Sequence, residues 1–302
     1  MRSFAYEGGV WVPERNEVWF TSEINKPPAY VFTLDLETNT VRAPALSREL
    51  VNPAGGFYFD GTLYFTEWGN RTTGARPGIV AIDPVSGQVT TLVDKFEDRR
   101  LNGPDDIAVV RDGNRTLLYF TDPDFATFFR IQGPPEGPDA TYRLDLDTGE
   151  LIRVVSARQL DPPNGVCFSP DGRTAYVSQT PFAPRRNRVN GGVKAIFAFD
   201  VTENELRNMR PFGEKARKGV PDGLKCDDEG RVWAAEGEGI VVRNSGGEIL
   251  GGFKADGLKK GITRKTDVAN FALAGDELVV LALDQIVRVK LARVVMSPER
   301  FR

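Results

Sequence analysis

A unit of two β-rich runs around a tight polar turn recurs six times along this chain, and any fold must bury the apolar faces that the period creates. The copies read "GGVWVPERNEVWFTSE" from Gly8, "GGFYFDGTLYFTEWG" from Gly55, "DDIAVVRDGNRTLLYFTDPD" from Asp105, "NGVCFSPDGRTAYVSQT" from Asn164, "DGLKCDDEGRVWAAEGEG" from Asp222 and "ANFALAGDELVVLALD" from Ala269. A second pair of runs follows each copy, from "AYVFTLDLETNTVRA" after the first to the degenerate "QIVRVKLARVV" after the sixth. Asp-Gly, Ser-Gly, Thr-Gly and Gly-Gly pairs punctuate them, which is hairpin chemistry. No run of ten or more residues places apolar residues at helical spacing. Four strands in each of six units predict an all-β, six-bladed β-propeller with four-stranded antiparallel blades around a central channel, one domain over residues 1–302. The sixth unit is short, and the N-terminus offers no evident strand to complete it.

Composition removes whole classes of chemistry. With 0 His among 302 residues, a Ser/His/Asp or Cys/His nucleophile system, a His-ligated zinc site and an imidazole base are all excluded. Catalysis must come from carboxylates, amides, Lys, Tyr, Arg or a bound ion. The formal net charge of −3 leaves no basic footprint for nucleic acid. No apolar run is long enough to span a membrane, and "MRSFAYEGGVWV" lacks the basic and apolar segments of an export signal, so a cytoplasmic chain acting on a small molecule is expected. Cys167 and Cys226 fall inside expected strands and read as buried, unreactive thiols. Nothing in the sequence specifies an oligomeric state.

A propeller predicts which residues meet, because the innermost strand of every blade starts at the same mouth of the channel. Aligned on their first apolar strand residue (Val10, Phe57, Ile107, Val166, Leu224, Phe271), the repeats place Gly8, Gly55, Asp105, Asn164, Asp222 and Ala269 two positions earlier. Glu7 lies three earlier and Asn270 one earlier. Glu7, Asp105, Asn164 and Asp222, with Asn270 as an outlier, thus point into one small volume. Carboxylates gathered in a desolvated site repel one another strongly, and a hard dication relieves that repulsion. All the donors are oxygens, which favours Ca2+, with Mg2+, Mn2+ or an oxygen-ligated Zn2+ as alternatives. The competing reading is that "PNG" at 163–165 and "PDG" at 221–223 are turns and nothing more. In "LNGPDDIAVV" the register assigns Asp105 to the mouth and Asp106 to orienting its neighbour or the turn.

At these residues the chain resembles the senescence marker protein/gluconolactonase family of six-bladed propellers, which includes the fungal lactonohydrolases. The marks are "EGGVWV", "RRLNGPDDIAV", "YFTDPD", "PPNGVCFSPDGRTAYVS", "VPDGLKCDDEGRVWAA" and "ANFAL", spread over nearly the whole chain. The resemblance implies that Glu7, Asn164 and Asp222 bind one divalent metal and that Arg100 and Asn102 belong to a substrate-contacting loop. Two residues depart from the family pattern. Asp105 stands where an amide is common, and Tyr6 stands where fungal relatives often carry His before the motif Glu.

The expected activity is metal-dependent lactone hydrolysis, in which the metal polarises the carbonyl and activates a water. Asp222 is then the first candidate base and Asp105 the second, while Arg100 and Asn102 hold ring hydroxyls or the oxyanion. The loops after the second strands of units two to four carry Trp68, Phe125, Phe128, Phe129 and Phe182. Over the mouth, beside Tyr6, these would suit a larger, partly apolar substrate; as packing they would merely roof the propeller. Arg185, Arg186 and Arg188 either attract an acidic substrate or form a solvated loop. Two other classes compete with hydrolysis: a non-hydrolytic biosynthetic enzyme for a cyclisation or pericyclic step, and a non-catalytic metal-binding propeller.

Overall fold

A computed structural model describes residues 3–24, 27–181, 193–258 and 268–296. It is an all-β propeller. Five four-stranded antiparallel sheets, each with its strands in chain order, cover residues 7–42, 53–93, 107–156, 163–211 and 224–254. Burial falls outward along each blade. The innermost strand of blade two, Pro53–Phe59, is buried at every position, whereas the outermost strand of blade one, Val41–Arg42, is exposed at both. That gradient explains why inner strands read as unbroken runs of apolar and small residues and outer ones as mixed polar sequence. Turns form where the sequence places them: Asp60 and Gly61, both at positive φ (46° and 80°), close the Phe59–Thr62 hairpin.

The expectation of six four-stranded blades is corrected. Among the described residues the sixth position is a two-stranded sheet of Asn270–Leu281 and Ile286–Val295. The physical reason lies in the last run, "IVRVKLARVV", which has no Gly, Asn, Asp or Pro at which to reverse and stays one strand of 10 residues. The short sheet nonetheless completes the packing. Phe271, Leu273, Leu278 and Val280 join the core of blade five, while Ala272, Ala274, Val279 and Leu281 join that of blade one. The facing parity changes across Gly275, whose φ of +67° permits the break. Closure comes from the N-terminus in a form the sequence did not suggest: Phe4 and Ala5 donate their N–H groups to the Leu283 carbonyl, and Leu283 N–H returns to Ala5.

Adjacent blades approach closely at the channel. A Cβ at Gly55 would overlap the Asp105 carbonyl oxygen, and one at Gly165 the Asp222 carbonyl oxygen, so only glycine lets these inner strands meet. The expected free thiols are also corrected. Cys167 and Cys226 are disulfide-bonded across blades four and five, with a Cα–Cα separation of 5.7 Å. Sequence spacing concealed this pairing because the two residues are 59 positions apart and become neighbours only when the blades stack. The bond lies three residues beyond Asn164 and four beyond Asp222, stapling the strand that carries Asn164 to the one that Asp222 precedes.

Candidate active site

The mouth of the channel gathers the predicted set. Glu7 opens the inner strand Glu7–Val12, Asn164 lies in Pro163–Phe168, and Asp105 and Asp222 each stand two residues before the inner strand of their blade. Pairing shifts between Glu7 and Val10 and between Pro163 and Val166, a local irregularity at the start of both inner strands. Glu7, Asp105 and Asp222 retain only 7–8% exposure, and Asn164 3%. Asn164 Nδ2 donates to Asp222 Oδ1 at 2.7 Å. Asn270, the outlier of the register, belongs to the same cluster: its Nδ2 donates to Glu7 Oε2 at 2.9 Å, and its own Oδ1 accepts the Phe271 N–H at 2.8 Å.

Burial is the main force on these carboxyls. It pushes Glu7 well above the usual carboxylate range, reinforced by the charges of Asp222 and Asp105 and opposed by the Asn270 amide. Asp105 is raised in the same way, by burial first and then by Asp222 and Asp106. Trp68 turns its buried indole N–H toward Asp105 and partly offsets that rise without reaching full hydrogen-bond geometry. Neither Glu7 nor Asp105 forms an ion pair among the described residues. The carboxyls are thus near enough to repel, although no three acidic, His or Cys ligands among the described residues are drawn into a ready-made metal cage. The donors still fit a hard divalent cation, since all are oxygens in a buried cluster with an excess of negative charge, completed by amides.

Asp106 does more than set a turn. Its Oδ1 accepts the Ile107 N–H at 2.9 Å and its Oδ2 the Val166 N–H of blade four at 3.3 Å, and the Leu224 N–H of blade five also points at it. Burial raises its carboxyl, while Lys225 and these N–H groups draw it back. Lys225 lines a small channel cavity with Val10, Phe57 and Leu273. One carboxylate thus ties three blades together beneath the site.

A second device escaped the sequence reading. Thr21 Oγ1 donates to the Ala54 carbonyl, Thr66 Oγ1 to that of Asp105 (2.9 Å) and Ser178 Oγ to that of Asp222 (2.8 Å), so a hydroxyl late in one blade's second strand fixes the start of the next blade's inner strand. The signal was present as "WFTSE", "YFTEW" and "YVSQT". Inside a β-run, however, Thr and Ser are ordinary residues, and only blade stacking shows what they touch.

Other expected contacts are distributed unevenly. Asn102 is fully buried near the mouth, whereas the Arg100 guanidinium is engaged with Glu136, the Leu101 carbonyl and the Pro134 carbonyl rather than with the acidic cluster. Tyr6 is buried next to Glu7 in the chain. Trp68 stacks on Phe129 (centroids 6.1 Å apart), and Phe129 meets Phe128 edge-on at 5.0 Å; Trp68 also contacts Phe125. This wall runs from the buried Trp68 beside Asp105 to Phe128, which is 47% exposed. Phe182, Arg185, Arg186 and Arg188 lie outside the described residues.

Residues 6–259 match the model of the SMP-30/gluconolactonase/LRE-like region. Lactonohydrolase oryL of Aspergillus oryzae is 28% identical over 310 residues, a match covering 95% of this chain and 67% of that protein. A gluconolactonase of Zymomonas mobilis is 28% identical over 268 residues, covering 81% of this chain and 68% of its own length. The solved structure of a Xanthomonas campestris gluconolactonase superposes with a TM-score of 0.76 at 28% identity, covering 96% of this chain and 88% of that one. No helix among the described residues is long and apolar enough to cross a membrane.

Proposed function

This chain belongs to the SMP-30/gluconolactonase/LRE-like family, and from that premise we propose that it is a lactone hydrolase whose reaction centre is the acidic cluster at the channel mouth, used with a divalent cation. The observation that carries the reading is the burial of Glu7, Asp105 and Asp222 against one another, with Asn164 and Asn270 as their amide partners. Glu7, Asn164 and Asp222 would hold the cation. When bound, it supplies Lewis-acid polarisation of the lactone carbonyl and lowers the pKa of water.

The protein's own groups do the rest. With Asp222 Oδ1 committed to Asn164, the base role passes to Asp105, which stands beside Glu7 and Asp222 without an ion-pair partner among the described residues. The roof of Trp68, Phe125 and Phe129 limits water access and offers an apolar face to a substituent on the lactone. Metal-stripped protein should be inactive across a lactone panel, and Ca2+, Mn2+, Mg2+ or Zn2+ should restore turnover. Activity that survives thorough chelation would sink the metal-assisted mechanism, and a panel with no turnover under any ion would sink lactone hydrolysis.

Substrate preference follows from the aromatic wall. Phe128→Ala is expected to raise KM for an aryl- or alkyl-substituted lactone by about 3- to 10-fold, the worth of one aromatic contact, while leaving a compact sugar lactone nearly unchanged. An equal effect on both substrates would refute a substituent subsite at Phe128.

A further inference from the structure

Asp122 closes the second strand of blade three, Arg115–Asp122, and is buried to 2% exposure. Its Oδ2 accepts the backbone N–H of Asn102 at 3.0 Å, and its Oδ1 that of Gly103 at 2.8 Å. The Asn102 side-chain Nδ2 lies 3.5 Å from the Asp122 carbonyl oxygen. Asn102 is therefore held through both donors, while its Oδ1 is buried without a partner. The same strand grips the loop further on, since the Asp105 N–H donates to the Thr121 carbonyl at 2.9 Å and the Asp106 N–H to Thr121 Oγ1 at 3.1 Å. A Cβ at Gly103 would collide with that of Ala126, so the clamp presses the loop against the base of the aromatic wall.

We propose that Asp122 is a positioning residue for the reaction: its carboxylate clamps the backbone of Asn102 and Gly103 and so sets where Asp105 and the unpartnered Asn102 oxygen stand relative to a bound lactone. The proposal rests on the lactone-hydrolase reading. Asp122 makes no ion pair among the described residues; the charged or titratable groups that face it are Arg100 and Tyr142. Burial pushes its carboxyl up to about 7, held from going higher by the two N–H groups and by Arg100. Tyr142 is itself raised by burial and stays neutral in this range. The two N–H groups favour the carboxylate, the stronger acceptor, and so offset part of the cost of burying it. Linkage sets the sign for stability. A carboxyl raised from 3.8 to about 7 on folding contributes stability that is complete below its unfolded value and lost as pH approaches 7.

The test is amide hydrogen exchange over residues 101–106 of the full chain, corrected for intrinsic rates, alongside kcat and KM. In wild type, the Asn102 and Gly103 amides should be strongly protected. Asp122→Asn supplies only one acceptor oxygen. It should lose protection at one of the two amides and lower kcat by about 10- to 100-fold, with KM and calorimetric cation binding nearly unchanged. A variant that keeps the wild-type kcat overturns the proposal, as do Asn102 and Gly103 amides that exchange freely in the wild type, which decides the matter even if Asp122→Asn fails to fold. Exchange needs no substrate, so a protein that turns over no lactone but shows the clamp would refute the function and not the clamp.

Discussion

Asp222→Ala is expected to lower kcat/KM for any lactone the protein hydrolyses by about 1,000-fold or more, while its melting temperature in chelator equals or exceeds that of the wild type. The loss combines a missing cation ligand with a disordered Asn164, whose amide now donates to Asp222 Oδ1. Losing the ion removes Lewis-acid polarisation worth several kcal/mol, which is about 1,000-fold or more in rate. Stability moves the other way because Asp222 is the leading neighbouring charge that raises both Glu7 and Asp105. Their folded values lie above the unfolded ones of 4.5 and 3.8, so metal-free wild type should lose stability as pH rises above about 4. In Asp222→Ala that loss should shrink. The Ser178 hydrogen bond survives because it ends on the backbone carbonyl of residue 222. Melting curves with and without cation check the argument, and a variant that is both inactive and much less stable in chelator would contradict it.

Asp106→Ala should be the most damaging substitution for the fold, costing about 3 kcal/mol or more and lowering the melting temperature by about 5 to 10 °C. Its carboxylate serves N–H groups on blade three and blade four and faces a third on blade five. Truncation strands these donors in a buried channel and deprives Lys225 of its counter-charge. Asp106→Asn keeps one acceptor oxygen and should fall between. A melting point within about 2 °C of wild type for Asp106→Ala would show that the three-blade tie carries little energy.

The neighbouring carboxylates illustrate what a sequence can and cannot disclose. Their adjacency and the apolar run behind them place both at the channel mouth, because the period fixes where each inner strand begins. The separation of their roles is invisible in "PDD". Asp105 meets Glu7 and Asp222, which are about a hundred residues away in either direction, whereas Asp106 reaches across to Val166 and Leu224. Arg100 shows the converse. Its place beside Asn102 suggested a substrate contact, yet Glu136 and Pro134, brought close by the folding of their own loop, claim its guanidinium.

The amino-acid sequence by itself determined the all-β propeller, the blade starts and the identity of the acidic and amide residues at the mouth. These follow from a hairpin period and turn chemistry, which are local properties repeated along the chain. Only the tertiary structure decided the two-stranded sixth sheet, closure through Phe4, Ala5 and Leu283, the Cys167–Cys226 bond, the Asp106 tie and the Asp122 clamp. Each of these joins residues that touch only after blades or loops have packed, where buried N–H groups and charges must find partners and the nearest partner is set by geometry rather than by sequence order.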